Sequence, residues 1–295
     1  GTNQGDNSAG IQQGDRDDVT IDTDRVETGK LLTAAEVYAQ NVNSTVGIKA
    51  YSGTYGGSTG SGFILSDNGY IITNHHVIEG ATQITVSFYN GESAPAVLIG
   101  YDASNDIAVL RVAREDLTPV VLGKSSQLLV GDTVLAIGNP LGDLTFSLTS
   151  GVVSALQRTI TFSDGTSMSL IQTDCAINSG NSGGALFNLY GEVVGITNAK
   201  YSGNSSSGAS IDNIGFAIPI DTAKRIALSI IEKGVVSTPY VGITVIDVTE
   251  QMQNYGLPAG AAIQEITEGG PADRAGLKVN DIITHIETHK ITSGA

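Results

Sequence analysis

From Val46 onward, apolar residues recur at every second position in short runs rich in Val, Ile and Thr, the period of half-buried strands. Turn residues separate the runs at Gly56-Gly57, Asp67-Asn68-Gly69, Asn90-Gly91, Asp164-Gly165 and Tyr190-Gly191. Asp67-Asn68-Gly69 lies between Gly62-Phe63-Ile64-Leu65 and Tyr70-Ile71-Ile72. It predicts a hairpin, because Asn-Gly accepts the positive φ angles of a tight turn. Residues 46–220 therefore read as an all-β region of many strands, built as barrels.

Two stretches follow the helical period instead. Thr33-Ala34-Ala35-Glu36 spells a capping box, with Leu32 and Val37 placed as a hydrophobic staple, and predicts a short helix through about Asn41. Ala223, Ile226, Ala227, Ile230 and Ile231 share one face of a second helix, with Asp221 as its N-cap and Gly234 as its stop. Residues 1–31 have almost no apolar periodicity and carry Asp15, Asp17, Asp18, Asp22, Asp24 and Glu27, so they read as a disordered acidic linker. After Pro239 a second unit opens on Tyr240-Val241-Gly242-Ile243. Its densest signal is Gly270-Pro271-Ala272-Asp273-Arg274-Ala275-Gly276-Leu277, a turn into a very short helix, followed by the strand Asp281-Ile282-Ile283.

Length and apolar content, 295 residues with 40% hydrophobic, suffice for one large or two moderate domains. The net charge of −15 argues against a nucleic-acid partner, whose phosphates it would repel. The single cysteine, Cys175, excludes an intrachain disulfide; in an apolar strand with no basic neighbour it reads as buried core. No run of about 18 apolar residues suggests a membrane span. No basic-then-apolar leader is present, and a leader or anchor is expected to be missing ahead of Gly1.

Candidate chemistry centres on Asp174-Cys175-Ala176-Ile177-Asn178-Ser179-Gly180-Asn181-Ser182-Gly183-Gly184-Ala185-Leu186. Ser182 is the candidate nucleophile. A serine hydroxyl is inert near its free pKa, so it requires a base, an acid to orient that base, and donors for the oxyanion. Gly180 lets the chain turn so that its N–H and that of Ser182 aim at one point, a two-donor oxyanion hole. Taken alone, the pentad Gly180-Asn181-Ser182-Gly183-Gly184 reads more readily as a glycine-rich turn with an incidental serine.

Upstream of Ser182 stand two histidines, in Thr73-Asn74-His75-His76-Val77 at the end of an apolar strand. Adjacent strand residues face opposite sides, so one of the pair can point at the serine. For the acid, Asp106 leads directly into the apolar run Ile107-Ala108-Val109-Leu110. A buried carboxylate there needs a partner such as an imidazole N–H. Asp102 reads as a solvated turn residue. The pentad also fits the G-x-S-x-G elbow of α/β-hydrolases, which demands a helix after the serine and the order Ser, Asp, His. Here Ala185-Leu186-Phe187, a turn and Glu192-Val193-Val194-Gly195-Ile196 follow, and the order is His, Asp, Ser, that of chymotrypsin.

With these residues the chain resembles the HtrA (high-temperature-requirement, or Deg) serine proteases. The resemblance runs from about Thr33 to the end. It rests on Thr73-Asn74-His75-His76-Val77, Asp106-Ile107-Ala108-Val109-Leu110, Gly138-Asn139-Pro140-Leu141-Gly142, Gln172-Thr173-Asp174, Gly180-Asn181-Ser182-Gly183-Gly184-Ala185-Leu186 and Ile214-Gly215-Phe216-Ala217-Ile218-Pro219. It implies a chymotrypsin-like double β-barrel over residues 32–236 followed by a partial, C-terminally truncated PDZ domain over 239–295. The first barrel, roughly 46–115, would supply His76 as general base and Asp106 as orienting acid; the second, roughly 131–220, would supply Ser182. Gly180 and Ser182 would form the oxyanion hole, and Val194 to Lys200 would pair with substrate backbone. Ala176, Ile177, Ile196 and Ile214 would line the specificity pocket, favouring cleavage after small or medium aliphatic residues. Gating loops are expected at 138–151, 158–168, 176–181 and 200–212.

In the second unit the resemblance makes Tyr240, Val241, Gly242 and Ile243 the carboxylate-binding loop for peptide C-termini. Asn280 stands where a glycine is usual, and Glu287-Thr288-His289-Lys290 replaces the usual Asn-Gly turn. With the groove-lining helix absent, no reliable peptide affinity is expected of this unit alone. The resemblance further implies an extracytoplasmic endoprotease of the bacterial cell envelope that degrades unfolded or misfolded polypeptides. Its homotrimer would assemble through residues 33–46, and it would reach a membrane only through a missing N-terminal anchor. The alternative is a protease-fold chaperone or peptide-binding sensor with little turnover. No cofactor or metal is expected; His285 and His289 stand four apart in a strand-and-turn context and need not share a face.

Overall fold

The structure, a computed structural model, describes residues 13–16, 30–53, 56–139, 146–161, 167–201, 214–234, 241–286 and 289–293, which fall into two units divided after Val236. In the first unit, β1 (Thr45–Tyr51), β2 (Gly57–Ile64), β3 (Tyr70–Thr73), β4 (Gln83–Phe88), β5 (Ser93–Asp102) and β6 (Ile107–Val112) close an antiparallel barrel in the order β1-β2-β3-β6-β5-β4. Next come β7 (Val121–Leu122), β8 (Thr133–Gly138), β9 (Ser147–Thr161), β10 (Ser167–Thr173), β11 (Ala185–Phe187), β12 (Glu192–Asn198) and β13 (Gly215–Pro219). They run in the order β11-β8-β9-β10-β13-β12, and the β11–β12 pairing closes a second barrel, with β7 added in parallel to β12. The fold is a chymotrypsin-like double β-barrel.

Three apolar clusters explain why the period of two is blurred in some strands. Ile48, Ile64, Ile71, Ile84, Val86 and Leu110 fill the first barrel, and Val134, Ala136, Ile171, Leu186 and Val194 fill the second. The alternate residues of the same strands, Phe63, Tyr70, Ile72, Val109, Leu135, Ile137 and Phe187, form a third cluster at the seam between barrels. A strand buried on both faces shows a continuous apolar run; all four residues of β3 are buried.

Turn chemistry follows the sequence. Gly69 has φ +99° at the β2–β3 hairpin, with the Leu65 N–H donating to the Tyr70 carbonyl at 2.8 Å. The expected turn at Asp164-Gly165 lies outside the described residues. Helix α1 (Ala34–Asn41) has both bonds of the capping box, and Val37 and Leu32 join the seam cluster.

The C-terminal helix of this unit starts two residues ahead of the expectation. Pro219, not Asp221, stands at its N-cap, and Asp221 lies in the first turn, where its carboxylate accepts the Ser126 N–H at 2.9 Å. That anion near the helix N-terminus is favourable without being the cap. Ile220, Ala223, Ile226, Ala227, Ile230 and Ile231 are buried, and Gly234 ends the helix in the left-handed conformation. Within the segment expected to be disordered, residues 13–16 lie extended on β5: the Gly14 N–H donates to the Leu98 carbonyl at 2.9 Å, and Arg111 reaches the Asp15 carbonyl. The β5 backbone past the end of its pairing with β4 has donors and acceptors to offer an added strand.

In the second unit, β14 (Ile243–Asp247), β15 (Ala261–Ile266) and β16 (Ile282–Ile283) form a sheet in that order. Asn280 has φ +77°, the conformation that accounts for the usual glycine there, and Asn tolerates it better than most residues. The terminal hairpin pairs His285 with Lys290 and His289 with Ile286, so the two histidines are not cross-strand partners. Among the described residues, no helix is long and apolar enough to cross a membrane, and no cluster of metal-binding side chains occurs.

Candidate active site

His76 is delivered by a helical turn rather than by a strand. After β3, Asn74 initiates α2 (His75–Ile78), and successive residues there point about 100° apart. His75 stacks on Tyr101 at 4.4 Å between ring centroids, and burial holds its imidazole below the usual histidine pKa. His76 turns the other way. Its Nδ1 lies 2.6 Å from Asp106 Oδ2, and its Nε2 lies 3.0 Å from Ser182 Oγ.

Asp106 is 1% exposed and adopts φ +53°, a left-handed conformation that Asp tolerates at some cost and that recurs at functional sites. In this conformation the residue faces two ways. Its carbonyl accepts the His75 N–H at 3.2 Å and the Asn74 amide at 2.9 Å. Its carboxylate accepts the His76 N–H at 2.8 Å on Oδ1, and on Oδ2 both His76 Nδ1–H and the Asn198 amide, the latter at 2.7 Å. Asp102 is not a solvated turn residue: it ends β5, paired with Ile107, and is buried, its carboxylate accepting the Ser104 and Asn105 N–H groups of the turn that follows.

Ser182 is fully buried, and its Oγ has three neighbours: His76 Nε2, Asn74 Oδ1 at 3.1 Å and the Ala199 N–H at 3.1 Å. A hydroxyl has one proton, so His76 and Asn74 compete for it. Asn74 makes no side-chain cap to α2 because its amide is engaged with Asp106 and Ser182.

The two N–H groups expected to meet at an oxyanion are both taken by Asn178. The Gly180 N–H donates to Asn178 Oδ1 and the Ser182 N–H to the Asn178 carbonyl, each at 3.1 Å. Asn181 reinforces this turn, its side chain accepting the Asn178 N–H at 2.9 Å and donating to the Ala176 carbonyl at 3.0 Å. Residues 178–182 thus close a helical turn whose donors bond within the turn.

The expected pocket residues differ in exposure. Ile196 is fully buried in the seam cluster, since the alternation of β12 turns it toward α3 (Ile220–Lys233), and it has no surface to offer a ligand. Ala176 remains exposed, and Ile177 and Ile214 are half-buried. The substrate-pairing strand is also narrower than expected: residues 195 and 196 are paired on both sides, with β11 and β13, and a 3₁₀ turn follows at Ala199–Tyr201. In the second unit Tyr240 lies outside the described residues; Val241 is exposed, Gly242 has φ +77°, and Ile243 begins β14. Of the residues missed by sequence, Asn74 stood beside the histidines and could have been found, whereas nothing local marks Asn198 or Asn178.

A trypsin-like peptidase domain model matches residues 60–196 and a PDZ domain model residues 239–295. The solved HtrA-type protease AlgW with tripeptide superposes with a TM-score of 0.74 at 37% identity, covering 89% of this chain and 85% of that one. The chain belongs to the HtrA family. Other members resemble it closely. Serine protease Do-like HtrA of Bacillus subtilis is 42% identical over 80% of this chain and 56% of its own length. A probable periplasmic serine endoprotease DegP-like of Halomonas elongata is 42% identical over 81% and 49%. The HtrA-family chain thus spans about half the length of the curated relatives it matches.

Proposed function

We propose that this HtrA-family chain is a serine endopeptidase in which Ser182 attacks the peptide carbonyl, His76 takes its proton and passes it to the leaving amine, and Asp106 orients the imidazole. The carrying observation is the continuous hydrogen-bond line from Asp106 Oδ2 through His76 to Ser182 Oγ, at 2.6 and 3.0 Å. A binding protein would have no chemical need for that line. Residue 176, six before the serine, is Ala; the absence of an acid there supports cleavage after small or medium aliphatic residues of unfolded polypeptides. Relatives named as periplasmic endoproteases support an extracytoplasmic location. Casein hydrolysis, with the cleaved bonds read by mass spectrometry, tests the reading: products ending in Lys or Arg would overturn the specificity, and undiminished hydrolysis in Ser182→Ala the mechanism.

The bonding of both N–H groups to Asn178 supports reading this geometry as a latent form of such an enzyme. Catalysis requires the Gly180 and Ser182 N–H groups to leave Asn178 and converge on the oxyanion. Asn178→Ala removes the Oδ1 acceptor, worth about 1 kcal/mol net, so the resting esterase rate should rise about fivefold, in step with the population of the released form. A fall in that rate would mean that Asn178 supports the working geometry instead.

The PDZ unit, through residues 240–243, is proposed to take peptide C-termini in the complete protein. The trimer is proposed to form through residues 33–46; sedimentation of this chain solely as a monomer would refute it.

A further inference from the structure

The base and acid belong to the first barrel and the nucleophile to the second, so the 3.0 Å contact between Ser182 and His76 joins residues 106 apart in two different barrels of one unit. Something must hold the two in register, because a misplacement of about 1 Å at a reacting centre can cost about 10²-fold in rate. Packing of the seam cluster sets the barrels together but is non-directional. Directional bonds across the seam are what define a distance.

Three of them meet at one residue, together with a fourth bond inside the first barrel. Ser61, in β2 of the first barrel, is fully buried. Its N–H donates to the Ser182 carbonyl at 2.8 Å. Its hydroxyl donates to the Gly180 carbonyl at 2.8 Å and accepts the Asn139 N–H at 2.8 Å, both partners belonging to the second barrel's side of the seam. Its carbonyl accepts the Thr73 hydroxyl at 2.7 Å, at the end of the strand that leads into His76. Every polar group of Ser61 is therefore engaged, on one side with the nucleophile loop and on the other with the base-bearing strand.

The glycines around the nucleophile make room for this contact. A Cβ on Gly183, which has φ +84°, would come within 2.4 Å of the Ser61 carbonyl oxygen, and one on Gly138 within 2.8 Å of its Oγ. A Cβ on Gly184 would lie 3.2 Å from the Ser61 Cβ. The glycines that follow the serine thus admit Ser61 to the backbone of the nucleophile loop.

We propose that Ser61 is a positioning residue for peptide hydrolysis, its hydroxyl and N–H locking the Gly180–Ser182 segment of one barrel to the His76-bearing strand of the other. The proposal rests on the protease reading given above. It also bears on how the latent turn opens. Ser61 holds the carbonyl side of Gly180 while Asn178 holds its N–H side. The Gly180 N–H can then swing toward the oxyanion by rotation about the bonds flanking it while its carbonyl stays on Ser61, and the Ser182 N–H is released as the Asn178 carbonyl moves away. Ser61 touches no reacting atom and acts through those it holds.

The test compares the full chain with Ser61→Ala and Ser61→Cys, using an activated ester substrate, titration of active sites with a fluorophosphonate, and thermal melts. In Ser61→Ala, kcat per titrated site should fall roughly 10- to 100-fold, the scale of a misplaced reacting group, while KM stays within about twofold. The rate of fluorophosphonate inactivation should fall in parallel. A purely structural role would lower the melting temperature and the titratable fraction but leave kcat per titrated site at the wild-type value, and that result overturns the proposal. Should Ser61→Ala not fold, Ser61→Cys decides: its near-isosteric, weaker donor should give kcat per site between wild type and a tenfold loss, at unchanged KM. Wild-type kcat per site in Ser61→Cys would overturn the proposal. If wild type is inactive, or Ser182→Ala is active, the protease reading fails and the proposal with it, an outcome distinct from failure at Ser61 alone.

Discussion

Ser182→Ala should abolish casein hydrolysis, lowering kcat about 10⁶-fold, the loss expected when one member of a serine–histidine unit is removed. The variant keeps every backbone bond of the nucleophile loop and loses one oxygen, which His76, Asn74 and the Ala199 N–H all address. The substitution is therefore read as chemistry rather than as unfolding. His76→Ala should cost a similar factor, and the double variant little more, because the two residues act as one unit. In other enzymes of this kind, oxyanion donors and binding retain about 10³–10⁴ over water when a triad member is lost. Here the residual should be smaller in the resting form, since both donors are bonded to Asn178. Hydrolysis measured against a mock purification decides; retention of more than about 1% of the wild-type rate would exclude Ser182 as the nucleophile.

Asp106→Asn should lower kcat about 10⁴-fold with KM little changed. Three N–H donors converge on the Asp106 carboxylate, from the His76 backbone, the His76 ring and Asn198. An amide offers one oxygen and one NH₂ in their place, so at least one donor must face another donor. Relief comes most directly by moving the imidazole proton from Nδ1 to Nε2. That tautomer presents a donor to Ser182, and the base can no longer accept the hydroxyl proton. Steady-state kinetics on a peptide substrate check the split. A loss below about tenfold would show that the imidazole is oriented without the carboxylate.

Two asparagine partners of Asp106 found only in the structure, one on its carboxylate and one on its backbone carbonyl, sharpen these expectations. Asn198 comes from β12 of the second barrel, so the acid of the first barrel is itself bonded across the seam. Asn74 ties the Asp106 carbonyl to the Ser182 hydroxyl. Asp106, His76 and Ser182 are thereby held by three short polar side chains, Asn74, Asn198 and Ser61, none of which is charged. In a buried site, neutral donors and acceptors fix geometry without adding the desolvation burden of another ion.

Local chemistry was legible from sequence wherever it acts over a few residues. The capping box at Thr33 and Glu36, the hairpin at Gly69 and the left-handed stop at Gly234 depend on neighbours in the chain, and each stands where the residues say. The order His, Asp, Ser was legible for another reason: a His, an Asp and a Gly-flanked Ser spaced along an all-β chain admit few arrangements, and a strand after the serine removes the elbow; the choice of His76 over His75 came from the family resemblance. Where the reading missed, a partner distant in sequence had decided the matter. Ile196 looked free to line a pocket, but β12 is paired on both sides and α3 covers that face. Asp221 looked like a cap, but the preceding β13 runs directly into the helix through Pro219.

The sequence by itself determined the all-β class, the capping box of the first helix, the glycine stop of the last and the hairpin at Gly69, because periodicity, capping and residue type are properties of short stretches; the double barrel and the choice of His76 over His75 came through the family resemblance. The tertiary structure alone decided the state of Gly180 and the role of Ser61. Gly180 has the freedom to turn its N–H either way, and only the placement of Asn178 beside it selects the latent direction. Ser61 is an ordinary strand serine until two barrels close on it, since hydrogen bonds to Gly180 and Ser182, more than a hundred residues away, exist only once the seam has formed.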